Sequence, residues 1–169
     1  MSPERHLSLI YVSIDLVGGL EKSRQLLAKM SELGEIETIS SVYKRYLTKD
    51  RVDFSARMEF VLRFNTIMNV DQCLYMLLSL AEVAASEGSH KTQCDLILLA
   101  YDRKILMSPK LTLPYPHLHT DALVIRCAAE AWGSYEHPIY QRTLSEISKT
   151  ASPVQDAEFH LQGKSLVDF

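Results

Sequence analysis

The stretch "ARMEFVLRFNT" at positions 56–66 constrains the fold more than any other. Ala56, Met58, Phe60, Leu62 and Phe64 alternate with Arg57, Glu59, Val61, Arg63 and Asn65. A period of two places the first set on one face of an extended chain and the second set on the other. The segment is therefore expected to be a strand that buries its apolar stripe against helices and turns Arg57 and Glu59 the other way.

The rest of the chain supplies partners for that strand. "LSLIYVSI" (7–14) is β-branched and aromatic, which predicts a strand, and Gly18-Gly19 breaks it. Leu20, Leu26, Leu27, Met30 and Leu33 then recur at helical spacing, with Gly34 as the stop. "EIETISSVYKRYL" (35–47) predicts one further strand and 48–55 a polar loop. Residues 69–88 predict a second helix, with Asp71 as its N-cap and Gly88 as its end. "HKTQCDLILLAYD" (90–102) carries an acid, Asp95, into an apolar strand. Alternation puts Leu96 and Leu98 under the helices, and Asp95, Ile97 and Tyr101 on the opposite face. A hairpin is expected over 104–114 and helices over 120–132 and 140–149. The last twenty residues are polar apart from "SLVDF" and are expected to form a loosely ordered tail.

The order β-α-β-β-α-β predicts an α+β, ferredoxin-like antiparallel sheet with two helices on one face, over residues 1–149, followed by a tail over 150–169. The other face is left for loops, a ligand or a subunit contact, and carries Arg57, Glu59 and Asp95. A chain of 169 residues with 47% hydrophobic and 23% charged residues is an ordinary globular composition. A net charge of −3 gives no support for binding nucleic acid or an anionic membrane. Cys73, Cys94 and Cys127 form no CxxC pair, which favours reduced thiols and a cytoplasmic location. No apolar run is long enough to span a bilayer.

Read alone, Asp95 is either a metal ligand or a strand-start acid paired with Lys91. Glu59 is either a ligand-binding carboxylate or a cross-strand partner of Arg57, Arg63 or Arg45. His117-x-His119 reads as a surface loop, and Cys94 as a small buried hydrophobe.

Several local strings, in this order, resemble one family, the hydroxymethyldihydropterin pyrophosphokinases of folate biosynthesis. "YVSI" is similar to that family's first strand and "ISSVYKRYL" to its S-S-x-Y-x-T-x-P. "CDLILLAYDRKILMSPKLTLPYPHLHTDALVIRCAAEAW" resembles its D-L-D-I-L-L-Y followed by L-x-L-P-H-P-x-L-H-x-R-x-F-V-L-x-P-L-x-E-I, and "RTLSEI" its T-L-x-E-L. The resemblance spans residues 8–147, and "LTLPYPHLH" is its most specific part.

The resemblance implies ATP and a reduced pterin as small-molecule partners. It also implies magnesium held by the paired acids of D-x-D, whose positions here are Gln93 and Asp95. It places Lys91 or His90 toward phosphate, His119 on the catalytic loop, and Glu59 against the amino edge of the pterin, where a carboxylate accepts two parallel donors. Tyr115 stands at the histidine of P-H-P, Asp121 at a phosphate-facing arginine, and Leu123 at the aromatic that stacks on the pterin. Gln93 supplies no charge, and Asp121 reverses one. The resemblance therefore implies either a pyrophosphokinase with a degraded metal and phosphate site, or an inactive relative kept as a ligand- or partner-binding module.

Overall fold

The protein is described by a computed structural model covering residues 2–86, 88 and 91–167. The alternating stretch is the central strand, β4 (Ala56–Thr66), flanked in the sheet by β1 (His6–Asp15) on one side and by β2 (Glu35–Ile39) and β3 (Val42–Tyr46) on the other. β5 (Cys94–Tyr101) pairs with β1, and all these pairings are antiparallel. Helices α1 (Gly19–Ser31) and α2 (Val70–Ser86) lie on one face. There Met58, Phe60, Leu62 and Phe64 pack with Leu26, Leu27 and Met30 of α1 and Cys73, Met76 and Leu77 of α2. This is the α+β, ferredoxin-like arrangement that the order of elements predicts. A hairpin follows, β6 (Leu106–Met107) with β7 (Thr112–Leu113). The cap of α2 is Asn69 rather than Asp71. The Asn69 side chain accepts from Gln72 N and the Gln72 side chain accepts from Asn69 N, both at 2.9 Å, a reciprocal cap that Asp71, already inside the helix, cannot make.

The second face of the sheet differs from the expectation. It is covered over much of its length by α3 (His117–Thr120), α4 (Ala122–Trp132) and α5 (Leu144–Thr150). Leu9, Tyr11, Val61 and Leu99 of the sheet form a second core with Leu123, Val124, Cys127 and Leu144. A bulge in β5 feeds that core. Leu9 pairs with Ala100 and Ile10 with Leu98, so Leu99 is an extra residue, and Leu99 and Ala100 both turn to the second face. Strict alternation fails at that point, and Tyr101 joins the first core instead of sharing a face with Asp95.

The expected strand over 35–47 is split at Ser40. Its Oγ accepts from Val61 N at 2.9 Å while its own N donates to Val61 O at 2.8 Å, so a side chain takes the place of a ladder acceptor. The expected loose tail contains β8 (Ala157–Leu161), which extends the sheet beside β3, and a 3₁₀ turn (Gly163–Leu166) that returns Leu166 to the first core. Three thiols are free, and no helix is long and apolar enough to cross a membrane, among the described residues.

Candidate functional site

Register brings the candidate polar residues into two neighbouring rows at one end of the sheet. In one row Tyr43, Glu59, Ser13 and Asp95 are successive partners across β3, β4, β1 and β5. In the next, Arg45 faces Arg57, Arg57 faces Asp15, and Asp15 N donates to Gln93 O at 3.0 Å. Two arginines directly opposite one another repel. Each is neutralised along the diagonal, Arg45 by Glu59 and Arg57 by Asp95.

Arg57 reaches Asp95 because β1 offers only Ser13 between them. Its guanidinium donates to Asp95 Oδ2 at 2.8 Å, to Ser13 Oγ at 3.2 Å and to Gln93 Oε1 at 2.7 Å, and its Nε lies 3.9 Å from Asp15 Oδ1. Burial would lower the Arg57 pKa, but the hydrogen bond to Asp95 and the charges around it raise it overall. One fixed cation thus bridges the two side chains that the resemblance assigns to magnesium. Octahedral magnesium asks for carboxylate oxygens and waters. Here one donor is a neutral amide, and the two acids beside it are already engaged, Asp95 by Arg57 and Asp15 by Arg57 and the Gln93 N–H. The residues as placed do not fit the ion.

Glu59 is 3% exposed. Ser13 Oγ donates to its Oε2 at 2.7 Å, and Arg45 Nε lies 2.6 Å from its Oε1, off the N–H axis, as an ion pair. Burial, followed by the nearby charge of Glu59, pushes the Tyr11 hydroxyl far above its usual range. Of its three possible arginine partners, Glu59 takes Arg45. Arg45 continues to Asp121 at 2.7 Å and Asp156 at 3.4 Å. Asp121 caps α4 by accepting from Leu123 N and Val124 N. Burial alone would raise the Asp121 carboxyl, but the Arg45 hydrogen bond and charge hold it below its usual value.

Of the remaining expected site residues, Leu123, Tyr115 and His119 make no side-chain bond to Arg57, Asp95 or Gln93, whereas Lys91 lines a cleft with Gln93 and Asp15. Leu123 is 1% exposed within the second core. Tyr115 is half-buried, donates its N–H to Leu99 O at 2.8 Å and meets His117 edge-on. His119 is exposed, at the end of α3, against Tyr140 and His137. Lys91 is exposed and opens onto two clefts, of about 640 and 800 Å³, that share Asp15 and Thr92. His90 lies outside the described residues. Sequence reasoning offered Arg45 as one partner for Glu59 but missed the roles of Ser13 and Asp15, and the reach of Arg45 to Asp121 and Asp156. The available signal was Ser13 in "YVSID", a small polar residue in an otherwise apolar strand.

No protein-family model and no curated protein matches the sequence. The structure does match solved ones. A wild-type Plasmodium falciparum HPPK-DHPS structure with pteroate aligns at a TM-score of 0.66 and 9% identity, covering 88% of this chain and 43% of that one. Another, with pterin and p-hydroxybenzoate, aligns at 0.63 and 8%, with the same coverage. The chain therefore shares its fold with part of HPPK-DHPS and spans less than half the length of those chains.

Proposed function

We propose that this chain is a pterin pyrophosphokinase-like protein that binds a small molecule and does not transfer pyrophosphate by a magnesium-dependent route. The observation that carries this reading is the Arg57 guanidinium held between Asp95 and Gln93. Pyrophosphoryl transfer needs divalent cations between the enzyme's acids and the ATP phosphates. A guanidinium and a dication about 4 Å apart repel by several kcal/mol even at an effective dielectric of about 20. Arg57 thus supplies internally the positive charge that a metal would bring, and Asp121, turned to Arg45, offers none to phosphate. A pterin is the first molecule to test, on the strength of the resemblance and of the ligands named for the similar structures. The assay mixes the protein with ATP, magnesium and hydroxymethyldihydropterin. We expect no AMP above blank at high protein concentration, no magnesium-dependent ATP binding by calorimetry, and no rescue by Gln93→Asp alone. AMP turnover by the wild-type chain would overturn the proposal.

A second reading, ATP-dependent pyrophosphoryl transfer, is favoured by the two clefts that meet at Asp15, Lys91 and Thr92. In that reading Lys91 or His90 faces phosphate, and Arg57 leaves Asp95 when magnesium and ATP arrive. Arg57→Gln separates the two. Magnesium-dependent ATP binding already present in the wild type, and unchanged in the variant, supports the enzyme.

A further inference from the structure

The loop between α4 and α5 folds around one imidazole. His137 is 1% exposed, and its Nδ1 accepts the backbone N–H groups of Ile139 and Tyr140, both at 3.3 Å. A ring nitrogen that accepts carries no proton, so the proton of neutral His137 sits on Nε2. That Nε2 is buried and meets no hydrogen-bond partner. An unmet buried donor is costly and uncommon in folded proteins.

The surroundings of the ring give the donor a context. His119 stands edge-on to it with ring centres 6.1 Å apart, and Tyr140 lies 4.7 Å from His137 and 5.1 Å from His119. His119 and Tyr140 form a wall of a cleft of about 360 Å³ between α3, the start of α4, and α5. Ile125 and Ile147 supply apolar surface there, and Arg142 lines it as well. One Arg142 nitrogen donates to Glu146 O at 3.2 Å and to Thr150 Oγ1 at 3.3 Å, which anchors the guanidinium. No Asp or Glu lines the cleft among the described residues. None of the lining residues bonds to Arg57, Asp95 or Gln93, so the cleft is separate from that cluster.

We propose that this cleft binds a small carboxylate with an apolar body, its anionic head against Arg142 and His119 and its body on Ile125 and Ile147. One anchored cation beside one imidazole suits a single anionic head. A polyphosphate asks for several cations, and the apolar floor rewards a hydrocarbon body. The size lies at the low end of small-molecule sites.

The test uses the full chain with labelled histidine rings, titrated by NMR with cyclohexanecarboxylate and, separately, inorganic phosphate. The His119 and His137 ring signals are expected to shift saturably with the carboxylate and to respond more weakly to phosphate. Arg142→Gln is expected to weaken carboxylate binding about tenfold, the loss of one charge-assisted contact. His119→Asp changes an exposed side chain that borders His137 and Tyr140; it is expected to abolish binding by setting anion against anion, while unchanged backbone amide signals of residues 137–142 confirm that the loop is intact. Absence of any saturable shift, tighter binding of phosphate than of the carboxylate, or unchanged affinity in His119→Asp overturns the proposal.

Discussion

Burial of His137 has a consequence for stability. Loss of solvent, followed by the charge of His119, lowers its pKa from 6.5 to about 4. Between those values the unfolded chain binds a proton that the folded chain refuses, so stability falls as pH falls through that window, by roughly 3 kcal/mol in total. His137→Asn retains an acceptor for Ile139 N and Tyr140 N without a titrating group. We expect urea denaturation of that variant to show a flatter dependence on pH between about 6.5 and 4 than the wild type shows. An unchanged slope would remove His137 as its source. At this scale the sequence was informative about Glu59 and Asp95, because strand alternation alone places them on one face. It was silent about Arg57 bridging Asp95 and Gln93, because that contact crosses β1 and depends on two registers and on the smallness of Ser13. His137 carried no signal at all, since its burial is made by a loop.

Among the elements, β8 departs furthest from expectation. Its residues lack a strong pattern, yet Glu158 and Ala157 pair with Lys44 and Arg45 of β3, and Tyr46 N donates to Asp156 O at 2.8 Å. The strand forms because β3 presents an unpaired edge, a property of the sheet and not of residues 157–161. The turn that follows is tightly seated. A Cβ on Gly163 would stand 2.1 Å from Ser40 O and 2.6 Å from Ile39 Cγ2. Gly163→Ala must therefore push the turn away from Ser40 or shift the split between β2 and β3. Leu166→Ala removes a side chain that is fully enclosed by the first core and is expected to cost about 2–5 kcal/mol. Thermal unfolding of both variants checks this. Wild-type stability in both would mean that residues 157–167 contribute nothing to the fold. The bulge at Leu99 and the split at Ser40 belong to the same class, since each inserts one residue into a pattern that strict alternation reads as continuous.

Across the whole molecule, Arg45 ties three elements together. It joins Glu59 of the central strand, Asp121 at the start of α4 and Asp156 at the start of the β8 pairing. Arg45→Met would leave Glu59 buried without its ion-pair partner, and the expected loss is about 3–5 kcal/mol. The double variant Arg45→Met with Glu59→Leu removes both charges and is expected to recover most of that loss. Chemical denaturation of the two variants measures the difference, and equal stabilities would show that Glu59 needs no partner. The same arrangement bears on function, because a carboxylate enclosed by Arg45, Ser13 and Tyr11 serves the sheet before it serves any ligand.

Local periodicity in the sequence by itself determined the order of strands and helices, the apolar stripe of β4 and the face on which its charges lie, because these depend on neighbours two to four residues apart. Tertiary structure alone decided that the second face is covered, that the tail completes the sheet, and that Arg57 stands between Asp95 and Gln93. Those outcomes rest on groups far apart in the chain, brought together by register, by an unpaired sheet edge and by the need of each buried charge for a partner.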